Sequence, residues 1–573
     1  MLKSLSISLL FLLCGPVWAA CSGSSPTWTA ANATRAEVAA CVTAASSGDT
    51  INVPSGTSTW ASDIELPNNK DLAIIGATSV SCTGTPGTTG YSCSATDNTV
   101  LTCAGTCFVF DNTRTQRVSG FTMTVVSGSR LVDNTGPATG KYFRLDHNHL
   151  IGAESFTQLW IGAGNSGGHA QGVADNNLVE DCAFRPIGTF YQWDEGTGAE
   201  QHVLWAQQPA FGGGDARVFI ESNHFKHDAG GIQSSDSNYG GRYVYRFNLV
   251  DSGFHNSEVH GMQGENRGSQ HTEIYENVIT TTTGCSGGTT NFRGGTGVIW
   301  GNYQAVACSY GIDFTIDRSE YDEGAGNFGT VKECGVGGAD GDSPTGVDQK
   351  VGGQNSWRCR DQIGTWYDAT EWQHTPSFGS WDQVQHPVYV WSNLTGASAM
   401  DVNVNTQGDI ENKIIVDREF YCDAGFAGGC NNGVRVGTLA NIPGTCTTGQ
   451  AYWVTDRGKW RKDTSAGAAD GVLYRCSPDN TWSAYYIPYQ YPHEWVDGDD
   501  QPSDMTFGDS SGTAGRLAIF LANWAWFALA GLLGGIMYAA TSDRPRAAFA
   551  SAAARIRARV RQRRNPGDVQ RPA

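Results

Sequence analysis

The strongest constraint in this chain is a short segment that keeps returning. An apolar residue stands three positions before an Asn, and a second apolar residue usually follows two positions after it. The copies read Leu145-Asp146-His147-Asn148-His149-Leu150, Ile220-Glu221-Ser222-Asn223-His224-Phe225, Tyr245-Arg246-Phe247-Asn248-Leu249-Val250 and Ile274-Tyr275-Glu276-Asn277-Val278-Ile279. Ile299-Trp300-Gly301-Asn302 and Val390-Trp391-Ser392-Asn393 continue the series, and Val179-Glu180-Asp181-Cys182 fits with Cys in the Asn place. From Asn148 the steps are 34, 41, 25, 29 and 25 residues, then 91 to Asn393. A strand, a tight turn at Asn, a second strand and a loop of free length produce this spacing. Asn tolerates the left-handed backbone that a sharp turn needs, and stacked Asn side chains can hydrogen-bond from copy to copy. A single copy cannot bury its own apolar face, so the copies must stack into a solenoid. Successive strands would then lie about 4.8 Å apart.

The ends of the chain carry different information. Residues 1–19 have the form of a secretory signal peptide: Lys3, an apolar run from Leu9 to Leu13, and the small-residue site Val17-Trp18-Ala19. Residues 516–540 include 24 consecutive uncharged positions from Leu517 to Ala540, and about 20 apolar residues suffice to cross a bilayer. The tail 541–573 carries nine Arg against Asp543 and Asp568, which places it on the cytoplasmic side. The expectation is a membrane-anchored protein whose bulk is extracellular or periplasmic, tethered through the acidic linker that ends the 488–515 segment. Lys plus Arg number 38 against 56 Asp plus Glu, a net charge of -18, so a general affinity for nucleic acid is excluded. The sequence leaves the oligomeric state open.

Cysteine usage agrees with export. Fifteen Cys remain once Cys14 leaves with the signal peptide, and they fall into close neighbours. The expected pairs are Cys21 with Cys41, Cys82 with Cys93, Cys103 with Cys107, Cys285 with Cys308, Cys334 with Cys359, Cys422 with Cys430, and Cys446 with Cys476. Cys182 is left over and is expected to be buried and unpaired.

Gly48-Asp49-Thr50-Ile51-Asn52-Val53-Pro54, Leu72-Ala73-Ile74-Ile75-Gly76 and Arg117-Val118-Ser119-Gly120-Phe121 resemble the opening of right-handed parallel β-helix proteins of the pectate-lyase-like superfamily. His260-Gly261, Arg267-Gly268, Arg293-Gly294-Gly295-Thr296-Gly297 and Pro488-Tyr489-Gln490-Tyr491-Pro492-His493 are similar to a group of uncharacterised bacterial β-helix proteins. The resemblance implies an all-β, right-handed parallel β-helix over residues 20–431. A small Cys/Trp-rich module over 432–487 follows, with Cys446 and Cys476 enclosing Trp453, Trp460 and Tyr474. Its aromatics either stack on sugar rings or form the module's own core.

Alignment on the turn residue gives two columns. The position three before it, Leu145, Val179, Ile220, Tyr245, Ile274 and Ile299, faces inward. The position two before it faces outward and reads Asp146, Glu180, Glu221, Arg246, Tyr275 and Trp300. Carboxylates on neighbouring coils repel unless a cation intervenes, and calcium takes such oxygen ligands. The resemblance to pectate lyases implies calcium at Asp146, Glu180 and Glu221, with Arg246 as the base of a β-elimination on an acidic glycan. Tyr275, Trp300 and Lys226 would touch the polysaccharide. Solvated outer-face ion pairs are the plainer account of the same residues. Two of the carboxylates could instead serve a glycoside hydrolase, and a non-catalytic glycan-binding or adhesion protein needs neither chemistry.

A second cluster lies at Glu258, His260, Glu265, Arg267, His271 and Arg293, on Gly-rich loops beside two coils. His260 could be an acid or base, with Arg267 and Arg293 clamping a carboxylate or sulfate. Structural ion pairs tying the loops together are the alternative.

Overall fold

A computed structural model of the chain describes residues 21–496, apart from positions 112, 239 and 309 and the stretches 134–141, 154–156, 163–169, 187–216, 228–232, 252–256, 262–267, 281–287, 316–362, 368–382, 406–413 and 463–468. The expected signal peptide, membrane helix and basic tail lie outside these residues. Among the described residues no helix is long and apolar enough to cross a membrane.

Each coil contributes one strand to each of three long sheets. One coil supplies Phe143–Asp146, His149–Gly152 and Thr157–Ile161; another supplies Arg242–Arg246, Leu249–Asp251 and Ser257–Val259. The sheets hold 13, 11 and 10 strands and are almost wholly parallel, which is the expected β-helix. The core runs down the axis. Leu145, Ala174, Ile220, Tyr245, Ile274 and Ile299 fill one inward column of the first sheet in continuous register. The helix Arg35–Ala44 closes the first coil, burying Val38, Cys41 and Val42, and the Cys21–Cys41 bond ties it down.

The Asn residues stack as expected. Asn148, Asn177, Asn223, Asn248, Asn277, Asn302 and Asn393 form one buried ladder, each Nδ2 donating to the next Oδ1 at 2.8–3.2 Å. Each of the six Oδ1 acceptors so engaged also takes the preceding Asn backbone N–H, as Asn248 does from Asn223 at 3.0 Å. Two details differ from the sequence reading. The left-handed residue is the one before each Asn: His147, Asn176, Ser222, Phe247, Glu276, Gly301 and Ser392 all have φ between 51° and 64°. The Asn itself is needed for its amide, which satisfies buried main-chain groups on neighbouring coils. The second copy is Ala174-Asp175-Asn176-Asn177 rather than the Cys182 segment. Val179 and Glu180 belong to the second sheet, and Asp181, with φ 49°, forms the next turn of the same coil.

Five expected disulfides are present: Cys21–Cys41, Cys82–Cys93, Cys103–Cys107, Cys422–Cys430 and Cys446–Cys476. Cys182 is a buried free thiol. Cys285, Cys334 and Cys359 lie outside the described residues, so the two pairs that involve them do too.

Two segments lie on the outside of the helix. A hairpin, Ser79–Thr83 with Ser92–Thr96, packs Val80, Tyr91 and Cys93 on Leu178, Leu249 and Val278 of the second sheet. A four-stranded sheet, Val434–Gly437, Ala451–Val454, Val472–Cys476 and Trp482–Tyr486, packs with the following segment to Trp495 onto the first sheet.

Candidate functional site

The outward column of the first sheet is Ser119, Asp146, Asp175, Glu221, Arg246, Tyr275, Trp300 and Trp391, in unbroken register. Asp175 occupies the place expected for Glu180. Glu180 sits on the second sheet, 3.2 Å from His149 Nε2, while Asp97 approaches the other ring nitrogen at 2.9 Å. Lys226 is also on the second sheet, beside Asp251, and does not meet Tyr275 or Trp300.

Arginines neutralise the carboxylates of this column. Arg117 makes a two-pronged contact with Asp146, both bonds 2.7 Å, and His147 Nδ1 adds a third at 2.9 Å. Burial alone would raise the Asp146 pKa, but Arg117, His147 and Arg144 hold it well below the usual carboxylate range. Arg144 spans both oxygens of Asp175 at 3.1 Å. Arg246 Nε donates to Glu221 at 2.8 Å. With Asp146 and Asp175 engaged by guanidinium groups, Glu221 paired to Arg246, and Glu180 on another sheet, the expected calcium ligands do not form an oxygen cage.

The column is also sealed. Arg246 Nη1 and Nη2 donate to the carbonyls of Tyr489 and Gln490 at 2.7 and 2.8 Å, and the His493 backbone N–H donates to Glu221 at 2.8 Å. Tyr491 stacks on Phe247 with centroids 3.7 Å apart, and its hydroxyl meets Ser222 Oγ at 2.9 Å. Burial works against the charge on Arg246, while Glu221 and Tyr275 raise its pKa above the ordinary guanidinium value. Tyr275, Trp300 and Trp391 stack on one another at interplanar angles of 7°, and Trp453 and Trp460 pack against this stack. Their faces are consumed by each other and by the module, leaving none to stack on a sugar. Trp453 and Trp460 therefore serve the module's seat, while Tyr474 and Trp482 are only half-buried.

The third sheet differs. Its middle outward residues, Asp236, Glu258, Asn291 and Asp313, are all less than one-tenth exposed. Its outward column reads Arg130, Trp160, Arg185, Asp236, Glu258, Asn291, Asp313 and Asn403. Its inward positions are mostly large and apolar, Leu159, Phe184, Phe292 and Phe314 among them, but are small at Ser235 and Ser257, where Tyr243 reaches across the core and bonds Ser257 Oγ at 2.7 Å.

At the middle of this column two carboxylates meet an imidazole. His260 follows Glu258 by two positions and therefore shares its face. His260 Nε2 lies 2.9 Å from Asp236 Oδ1 and 3.4 Å from Glu258 Oε1. One oxygen from each acid and one ring nitrogen all fall within 4.8 Å of one another. Arg293 pairs with Glu258, while Gln158 Nε2 donates to Asp236 Oδ2 at 2.7 Å. All three central residues are more than nine-tenths buried, so charges act here in a low effective dielectric. Desolvation would push Asp236 up, but His260, Arg185 and Arg293 hold its carboxyl below the usual range and keep it ionised. Among the described residues this is one of two clusters whose ligand atoms lie close enough to hold a metal ion, the other being Asp146, His147 and Asp175, and Arg185 and Arg293 lie beside it.

Of the expected second cluster, the structure brings together Glu258, His260 and Arg293. His271 stands on the first sheet with its ring buried, and Glu265 and Arg267 lie outside the described residues. Asp236, Gln158, Trp160 and Arg185 were not expected from the sequence. Asp236 sits in Gln233-Ser234-Ser235-Asp236-Ser237, which lacks apolar alternation, and a lone charge among buried serines was its available signal.

No family model and no curated protein sequence matches this chain. Among solved structures, it is similar to the catalytic domain of a GH87 α-1,3-glucanase variant in complex with nigerose, at 9% identity and TM-score 0.23, over 68% of this chain and 67% of that one. It is also similar to tailspike protein 3 of bacteriophage CBA120, at 12% identity and TM-score 0.22, over 76% of this chain and 64% of the tailspike chain.

Proposed function

We propose that this chain is a surface polysaccharide-binding protein that hydrolyses its glycan at Asp236, Glu258 and His260. The observation that carries the reading is the close pair of carboxylates on adjacent coils, bridged by an imidazole, on the outward column of the third sheet. A column offering one polar side chain per coil along an axis suits a polymer of repeating units.

Glycoside hydrolysis needs one carboxylate that is ionised and one group that brings a proton to the leaving oxygen. Asp236, held ionised by His260, Arg185 and Arg293, is the nucleophile at the anomeric carbon. The Glu258–His260 pair delivers the proton, then takes one from the water that cleaves the glycosyl ester. Net consumption is one water per bond broken. The approach within 4.8 Å is nearer the separation of about 5–5.5 Å found in retaining enzymes than the 6.5–9.5 Å or so that leaves room for a water. Retention of anomeric configuration is therefore the expected outcome. In this reading the protein is exported by residues 1–19 and held at the membrane by residues 516–540.

The test is incubation of the full-length protein with a broad polysaccharide panel, following new reducing ends and ultraviolet absorbance together. Reducing ends without absorbance, lost in Asp236→Asn and Glu258→Gln, establish the hydrolase. Absorbance from unsaturated uronate would instead restore the elimination reaction, and binding without products would leave a non-catalytic receptor.

A further inference from the structure

The column that carries the two carboxylates is not symmetrical about them. On the N-terminal side the three preceding coils present Arg130, Trp160 and Arg185, with no acid among them. Arg185 is set in place from two directions. Its Nη1 donates to Gln158 Oε1 at 2.6 Å, and its guanidinium lies 5.6 Å from the centre of the Trp160 ring. Gln158 in turn holds Asp236, so the arginine and the nucleophile are registered through one amide. Asp236 comes only within 3.7 Å of Arg185 Nε, too far for a hydrogen bond. On the C-terminal side the next three coils present Asn291, Asp313 and Asn403, with Asn403 Nδ2 donating to Asp313 at 2.7 Å. Charge along the face thus runs from cationic with an aromatic to amide with one acid.

Resting on the hydrolase reading, we infer that the substrate is a glycan placing an anionic sugar over Arg185 and Trp160, away from the Asp313 end of the column. A planar guanidinium held by Gln158 beside a tryptophan suits a carboxylate or sulfate on a sugar ring, which offers both an anion and an apolar face. The same anion on the other side would meet Asp313, and like charges on neighbouring coils repel. The face therefore orients the polymer as well as selecting it, with the charged unit toward the N-terminal end.

The experiment uses the full-length protein and chondroitin sulfate, polygalacturonate and hyaluronan. Each is compared with its carboxyl-reduced form, and the first also with its desulfated form. Wild type is expected to show KM lower by about tenfold for the charged polymers, the size of one charge-assisted contact. Arg185→Gln should collapse that ratio to within about twofold, while Arg185→Lys, which keeps the charge, should retain part of it. Desulfation against carboxyl reduction tells which anion is read. Equal KM for charged and uncharged forms, with turnover intact, would overturn the inference and leave the hydrolase standing. Without turnover, direct binding of Asp236→Asn to the same pairs takes over as the readout. A charge preference there upholds the inference without the hydrolysis, and equal or absent binding ends it.

Discussion

Arg246 separates a chemical role from an architectural one, and the structure sets the size of the effect. Arg246→Met removes the guanidinium that pairs with Glu221 and holds the Tyr489 and Gln490 carbonyls. Glu221 is then left in the interior with the His493 backbone N–H as its remaining partner outside its own strand and turn. Breaking one side of a buried ion pair costs about 3–5 kcal/mol, because the surviving charge is uncompensated. The penalty falls on the segment 488–496, whose seat is this pair. Every 1.4 kcal/mol is a factor of ten, so the opened fraction should rise by roughly 10²–10³-fold or more. Native-state proteolysis reads that fraction when opening and closing are fast relative to cleavage. Cutting within 488–496 should accelerate by the same factor in Arg246→Met. The double variant Glu221→Leu/Arg246→Met should return to within about tenfold of wild type, since exchange of a whole buried pair for apolar residues is close to neutral. Two results would refute the reasoning: a single variant as protected as wild type, or a double variant no better than the single. Lost turnover with unchanged proteolysis would return Arg246 to chemistry.

Other consequences are checked as simply. Asn248→Ala should orphan the Asn223 backbone N–H and take the side-chain donor from the Ile220 carbonyl, at about 1–3 kcal/mol for a group left buried and unpaired, read as a lowered urea midpoint. Asp236→Asn should reduce turnover by at least about 10³-fold and also lower stability, by up to about 3–5 kcal/mol, because it leaves the buried His260 and the adjacent Arg185 without their counter-charge. Glu276 lies under the cover, where burial, opposed by Arg461, pushes its carboxyl up to about 7. Its folded pKa exceeds its unfolded one, so its contribution is fully present below about pH 4.5 and is lost as pH rises toward 7, about 3 kcal/mol in all. Glu276→Gln should flatten that fall in a comparison of stability at pH 5 and pH 8, and an unchanged slope would exclude the group.

How much of this was legible in the sequence follows from which interactions are local. The Asn ladder was, because the turn and its two flanking strands fit within six residues and every copy repeats the same demand. The left-handed position was displaced by one, since His147, Ser222 and Phe247 look nothing alike and share only a backbone angle. The Cys182 segment passed for a copy for a related reason. Asp181 makes a second left-handed turn, preceded by the same apolar–acidic pair that marks the true ladder.

Alternation in a strand tells which side of a sheet a residue faces, not what lies on that side. Asp146, Glu221 and Arg246 point outward as the pattern required, and yet they are among the most buried residues in the molecule. Their cover, Tyr489, Tyr491 and His493, comes from more than 240 positions later and carries no periodicity to announce it. The converse holds for Asp236. Its strand had to be small inside, where Tyr243 bonds Ser257, so it lost the apolar beat that exposes a strand to a reader of sequence. A face that looked like an active site thus became a joint, and the first carboxylate of the proposed pair lay on a strand with no apolar pattern. In a stacked solenoid an outward column can serve either purpose. Which one it serves is decided by where the rest of the chain comes to lie.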